Sequence, residues 1–213
     1  VFAATIRDRF SVIARYVAPG AAVLELGCVD ARPARRSGED SAEAADLLFR
    51  RTADLNPDTL GVDLDAEGVA ALVRDGYHAV CADVQTMDLG QQFDTIVAGE
   101  IIEHLENPGQ FLRTLRRHLK PDGHVIITTP NPFYALQTWK IWRRGRPRCN
   151  EGHVAWFDPQ TLTALLSRTG FELVEGYWVQ RRPHWLKTWK RLLRPYFSHS
   201  LLIVARPATA MAT

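Results

Sequence analysis

The sequence predicts an α/β protein organised as a doubly wound, mostly parallel sheet of seven strands. Three observations carry this prediction. Short apolar, β-branched runs alternate with stretches of helical periodicity, the pattern of stacked β-α units. The 213 residues are 46% hydrophobic and 23% charged, ordinary globular values that exclude disordered, collagen-like and disulfide-scaffold classes. There are no internal repeats or low-complexity tracts, so a single domain, residues 1–213, accounts for the chain.

Taken in order, the first strand is expected at 22–26, an apolar run opened by Pro19-Gly20 and closed by Gly27. A helix at 41–52 leads to a second strand at 60–64, and a helix at 66–75 to a third at 79–82. The fourth strand, 95–98, precedes a helix at 108–119. There Phe111, Leu112, Leu115 and Leu119 recur at three- and four-residue steps, and Arg113, Arg116 and Arg117 lie outside the stripe. Lys120-Pro121-Asp122-Gly123 stops that helix, and a fifth strand at 125–129 runs until Pro130-Asn131-Pro132 ends it. From there to Asn150 the chain is rich in Trp and Arg and has no clear periodicity. A helix at 159–169, stopped by Thr169-Gly170, and strands at 172–180 and 201–205 complete the sheet. The stretches at about 131–157 and 181–199 read as substrate-recognition or lid elements added to it.

Cys28, Cys81 and Cys149 are odd in number and lack C-x-x-C spacing, which excludes a disulfide framework and a zinc knuckle. No run reaches the ~18 apolar residues of a membrane span, and the first ten residues alternate charge with apolar side chains rather than forming a signal peptide. A cytoplasmic location is the expectation. The net charge of +2 hides a division. Residues 138–198 hold 12 Lys and Arg against 4 Asp and Glu, together with all six Trp, whereas the rest of the chain holds 14 against 20.

The first chemical signal is Val23-Leu24-Glu25-Leu26-Gly27-Cys28, a strand running into a glycine turn, followed one β-α unit later by Gly61-Val62-Asp63-Leu64-Asp65. In an open parallel sheet the ligand lies outside the carboxyl ends of the strands, where an acid after the second strand can accept from both ribose hydroxyls of a nucleoside cofactor. A further acid stands in Cys81-Ala82-Asp83-Val84, placed to accept from an adenine amino group.

With these pieces in order, the chain resembles the class I S-adenosylmethionine-dependent methyltransferases, of Rossmann-like fold, over roughly residues 23–171. The matching segments are VLELGC, GVDLD, CADV, FDTIVAGEIIEHLENPGQFL, LKPDGHVIITTPNP and GHVAWFDPQTLTALLSRTGF. The resemblance implies S-adenosylmethionine as cofactor. Glu25 and Gly27 would meet its methionine part, Asp63 its ribose with Leu64 beside the adenine, and Asp83 with Val84 the adenine. The family's turn reads acid-x-Gly-x-Gly-x-Gly; here it reads Glu25-Leu26-Gly27-Cys28-Val29-Asp30-Ala31. The missing glycines add Cβ atoms where backbone should approach the ligand, and the polar insert at 32–40 lengthens the loop.

The second signal is Glu100-Ile101-Ile102-Glu103-His104. A helical turn here would bring Glu100, Glu103 and His104 to one face while Ile101 and Ile102 pack inward. Three readings stay open. His104 can act as general base with Glu103 orienting it. Two carboxylates and an imidazole can instead hold Mg²⁺ or Mn²⁺, which would lower the pKa of an attacking hydroxyl. The E-x-x-E-H pattern is similar to that of metal-dependent O-methyltransferases of the ubiquinone-pathway and small-RNA 2′-O types, and in the RNA type a later His, here His153, completes the set. In the third reading His104 is structural and Glu100 contacts the cofactor.

Two basic stretches bear on the acceptor. Residues 181–194 (RRPHWLKTWKRLLR) place Trp185, Leu186, Trp189, Leu192 and Leu193 on one stripe among basic residues, the composition of either an interfacial helix on anionic lipid or a lid. Residues 139–148 (WKIWRRGRPR) follow the fifth strand, and guanidinium forks with indoles suit phosphate- or sugar-bearing acceptors. The expected activity is O-methylation of a small or medium-sized acceptor (a sugar, glycan or secondary metabolite), anionic or lipid-linked. A membrane-surface lipid or glycolipid methyltransferase, an RNA 2′-O-methyltransferase and a non-catalytic cofactor-binding module are the alternatives. The acidic balance outside 138–198 argues against an extended nucleic-acid footprint.

Overall fold

In the computed structural model, which describes residues 2–29, 45–147, 150–180 and 195–209, eight strands form one sheet. The strands are β1 (Phe2–Ile6), β2 (Val23–Leu26), β3 (Leu60–Asp63), β4 (His78–Cys81), β5 (Phe93–Gly99), β6 (Leu119–Pro130), β7 (Phe171–Val179) and β8 (Ser200–Pro207). The helices are α1 (Phe10–Ile13), α2 (Ala45–Leu55), α3 (Ala66–Arg74), α4 (Pro108–His118), α5 (Ala135–Arg144) and α6 (Pro159–Arg168). The sheet order is β1-β7-β8-β6-β5-β2-β3-β4. All neighbours pair in parallel except β8, which lies antiparallel between β6 and β7.

The doubly wound, mostly parallel sheet is therefore present, with β1 as an eighth strand beside the seven read from sequence. Its pairing with β7 is fitted by Gly176, where a Cβ would lie 3.0 Å from the Phe2 ring. Along the central strands, side chains alternate between two apolar layers. Leu24, Ile96, Val125, Ile127 and Ile203 face the layer of α4 and α6, while Val23, Val97, Ile126, Leu202 and Val204 face α1 and α2. The helix starts are set locally. Asp65, Asn107 and Asp158 each cap a first turn by accepting backbone N–H bonds, and Asp158 forms a reciprocal capping box with Thr161.

The largest departure from the sequence reading is α5, a ten-residue helix in a stretch with no clear periodicity, ended by Gly145 at φ 70. β6 also begins earlier than read, at Leu119, so the Lys120-Pro121-Asp122-Gly123 turn becomes an irregularity within the strand. The polar insert at 32–40, the start of the helix read at 41–52, Cys149, and the basic segment 181–194 with its stripe of Trp185 and Trp189 lie outside the described residues. Among the described residues, no helix is long and apolar enough to cross a membrane.

From β2 the chain winds outward through β3 to β4, then returns to place β5 on the other side of β2. The crevice at such a reversal, beyond the carboxyl ends of the strands, is where open α/β sheets bind ligands.

Candidate active site

Four strand ends build one edge of the site. After β2, Gly27 takes a left-handed backbone (φ 70) and its N–H bonds to the Val62 carbonyl at 2.8 Å. After β3, the Asp63 carboxylate accepts from Val29 N–H (2.9 Å) and Asp65 N–H (3.0 Å), one to each oxygen. Each oxygen keeps a further lone pair, so the group is pinned but still able to accept from a diol. Leu64 beside it is 67% exposed, an apolar surface with no core to cover it. Following β4, Asp83 accepts from Gln85 N–H at 2.9 Å, and Val84 is buried in the core, which leaves its backbone rather than its side chain for a ligand. Cys28 lies beneath this edge, fully buried against Gly61 and Phe49, in a packing role.

Glu25 is fully buried, and burial pushes its carboxyl up to about 8 against the opposing effects of a Thr52 hydrogen bond and the Arg9 charge. Its Oε2 has no hydrogen-bond partner, an orphaned acceptor at the floor of the β2 turn. Together, the left-handed glycine, the pinned Asp63, the exposed Leu64 and this buried acid form a cradle fit for a nucleoside bearing a charged amino-acid tail.

After β5 the expected helical turn is only a three-residue 3₁₀ turn, Ile102–His104. Glu100 precedes it with φ 55, and its carboxylate lies 3.6 Å from the Arg9 guanidinium, which also donates to Thr128 Oγ1 at 3.3 Å. The i, i+3, i+4 convergence therefore does not form. The structure instead groups Glu103, His104 and His153, whose candidate ligand atoms lie within 4.8 Å of one another, and Glu100 is not in the group. Glu103 is almost fully buried. Its Oε2 accepts from Thr129 Oγ1 at 3.0 Å, Oε1 has no partner, and burial, reinforced by the Glu100 charge, pushes the carboxyl up to about 8.

The partner that orients His104 is a backbone group that sequence reasoning missed. Its Nδ1 stands 2.9 Å from the Gly152 carbonyl. A carbonyl oxygen only accepts, so Nδ1 carries a proton, and in the neutral ring Nε2 presents its lone pair. Gly152 has to be small, because a Cβ there would lie 2.9 Å from that same Nδ1. The loop is held by Val154 and Ala155 N–H groups on the Glu103 carbonyl (2.9 and 3.2 Å), which also sets the His153 ring edge-on to His104 at 4.6 Å. Partial burial and the neighbouring His104 lower the pKa of His153, favouring its neutral form. Beyond His153, between the end of β6, α5 and residues 195–199, lies a pocket of about 200 Å³. Arg9 carries no motif, and Thr129 and Gly152 lie in matching segments that assign them no role. Only the E-x-x-E-H run and the later His were readable.

Comparison with known proteins identifies the family and the fold. A curated ubiquinone biosynthesis O-methyltransferase of Nitrobacter winogradskyi is 30% identical over 180 residues, covering 77% of this chain and 61% of that protein. The chain spans 42 to 62% of the length of curated relatives of this kind. Among solved structures, an S-adenosylmethionine-dependent methyltransferase of Mesorhizobium loti superposes with a TM-score of 0.62 at 18% identity, covering 92% of this chain and 96% of that one. The magnesium protoporphyrin IX methyltransferase of Synechocystis, with S-adenosylhomocysteine bound, gives 0.63 at 13%, covering 93% and 79%. At these identities the structural likeness is one of fold. A family model described as a methyltransferase domain matches residues 3–176, and the chain accordingly belongs to that family, as a class I S-adenosylmethionine-dependent methyltransferase.

Proposed function

We propose that the chain methylates a hydroxyl oxygen on a small or medium-sized acceptor, with His104 as general base. The observation that carries this reading is the Gly152 carbonyl on Nδ1, which leaves Nε2 free to take a proton beside the β2–β5 crevice. The O-methyltransferase relatives support oxygen as the acceptor atom. When bound, S-adenosylmethionine supplies a methyl group on a sulfonium, a leaving group that needs no protonation.

The chain's own residues then divide the work. When the cofactor is bound, Asp63 would take the ribose hydroxyls on its spare lone pairs, Leu64 would lie beside the adenine, Asp83 would accept from the adenine amino group, and Gly27 and Glu25 would line the methionine end. His104 removes the hydroxyl proton. Glu103, with its pKa near 8, is largely protonated at neutral pH and adds no full negative charge beside the forming alkoxide. The same group also fits a divalent cation: Glu103, with its orphaned Oε1, His104 and His153 would hold Mg²⁺ or Mn²⁺, which would lower the pKa of the acceptor hydroxyl.

The test is transfer from methyl-labelled S-adenosylmethionine to a panel of catechols and sugars. The variant His104→Gln is expected to lose about 10²–10⁴-fold in turnover while S-adenosylhomocysteine binding holds. Unchanged turnover would overturn the general-base role. EDTA treatment, paired with Mn²⁺ titration of wild type and His153→Ala, decides the metal: calorimetric Mn²⁺ binding that the variant loses supports the ion, and none removes it.

A second reading, action at a membrane surface, is favoured by the outer face of α5. Trp139 and Trp142 are 49% and 84% exposed there, among Arg143, Arg144 and Arg146.

A further inference from the structure

The pocket beyond His153 has walls of an unusual character for its position. Its lining is mixed: Pro130 and the rings of Tyr134 and Trp156 give apolar surface, while Asn150 and His153 supply donors and acceptors. Lys140 is the only formally charged side chain lining it among the described residues. Asn131, although it lines the pocket, is committed to the fold. Its side-chain amide donates to the Tyr196 and Ser198 carbonyls at 2.7 and 2.8 Å and accepts from Phe133 N–H at 3.0 Å, holding the wall in place.

Three properties restrict the occupant. A volume of about 200 Å³ is below that of cavities for drug-sized ligands, which start near ~300 Å³, and suits a single substituted ring. The polar part of the lining disfavours an acyl or isoprenoid chain, because Asn150 and Lys140 would lose water against hydrocarbon with nothing in exchange. The Trp156 indole with the Asn150 amide beside the same pocket is matched by a hydroxyl-bearing ring, whose C–H face packs on Trp156 while a hydroxyl pairs with that amide. The ammonium of Lys140 then adds a demand for negative charge on that ring. His153 belongs both to this wall and to the Glu103–His104 group, so a ring filling the pocket brings a hydroxyl to the base.

We propose that the pocket takes an anionic monosaccharide, a sugar acid or a sugar phosphate, as the methyl acceptor, with its anionic group on Lys140 and one ring hydroxyl at His104. This rests on the O-methyltransferase reading and goes beyond it by naming the acceptor class. In the step, the hydroxyl oxygen bonds to the methyl carbon as the carbon–sulfonium bond breaks. The electron pair stays on sulfur, giving neutral S-adenosylhomocysteine, and the hydroxyl proton passes to His104 Nε2 and on to solvent.

The experiment uses the whole chain. S-adenosylhomocysteine is titrated first by calorimetry, and D-glucuronate, glucose 6-phosphate and neutral glucose are then added separately and followed by saturation-transfer NMR. At least one anionic sugar is expected to bind about tenfold more tightly than glucose, a typical effect for one charge-assisted contact. Lys140→Gln should erase that preference without weakening glucose, and Trp156→Ala should weaken all three. Whichever anionic sugar binds more tightly identifies carboxylate or phosphate as the group read. Equal binding of all three, no binding of any at about 20 mM, or a preference surviving Lys140→Gln would overturn the assignment while the methyltransferase reading stands. Failure of S-adenosylhomocysteine itself to bind would overturn both, and it is read before any sugar is added.

Discussion

Val29 occupies the second glycine position of the cofactor turn, and the chain accommodates its extra carbons by making Gly68 their neighbour. A Cβ at Gly68 would collide with Val29 Cγ1 and come within 2.9 Å of Cγ2. Since Val29 N–H also donates to Asp63, the turn, the acid proposed to hold the ribose and the start of α3 form one unit. Gly68→Ala would ordinarily favour a helix by about 0.5–1 kcal/mol. Here it is expected to destabilise the chain by about 1–3 kcal/mol through overpacking and to weaken S-adenosylhomocysteine binding by calorimetry. Adding Val29→Ala should recover most of both losses, and an innocuous single variant would refute the coupling. Glu25 offers a second residue-level test. Its folded pKa of about 8 stands above the ordinary 4.5, so the folded state binds the extra proton between those values. Its contribution is intact below about pH 4.5 and is lost as pH rises toward about 8. Urea midpoints of wild type and Glu25→Gln should therefore diverge across that interval, the variant gaining relative stability at alkaline pH. A pH-independent difference would show that Glu25 is ionised throughout. Neither feature was readable in advance: the sequence showed that glycines were missing, but the partner of Val29 and the burial of Glu25 are products of packing.

At the scale of elements, legibility followed the direction in which a helix or strand is amphipathic. The helix α4 announced itself because Phe111, Leu112 and Leu115 all face the core. By contrast, α5 turns Gln137 and Lys140 toward the pocket and Trp139 and Trp142 toward solvent, so a search for an inward apolar stripe passes over it. The segment 100–104 was misjudged for a related reason. The left-handed Glu100 ion-pairs with Arg9, which is supplied from 91 residues earlier in the chain and leaves no local signal. The reversed amphipathicity of α5 carries its own prediction. Vesicles containing phosphatidylglycerol should co-sediment the protein, vesicles of phosphatidylcholine alone should not, and Trp139→Ala with Trp142→Ala should return it to the supernatant. Equal partitioning onto both vesicle types would remove the anionic-surface reading.

Across the whole molecule, the charge division along the chain falls after β6, within α5, so the β2–β5 crevice is built wholly from the acidic part. Glu25, Asp63, Asp83 and Glu100 come from the acidic part, whereas Lys140, Trp156 and the exposed face of α5 come from the basic, Trp-rich part. Strand placement was legible because β2, β3 and β5 are buried apolar runs ending at Gly or Asp. The position of β8 was not, because strand order depends on long-range pairing. That order has a consequence for how the chain is made. β8, residues 200–207, sits between β6 and β7 and is translated after both. Until it emerges from the ribosome, Val125, Ile126 and Ile127 stand on an unpaired strand edge of the kind that recruits other chains. The nascent protein thus passes through a late interval in which the β2–β5 part of the sheet can be formed while the β6 edge is still open, the stage at which a chaperone would be of most use.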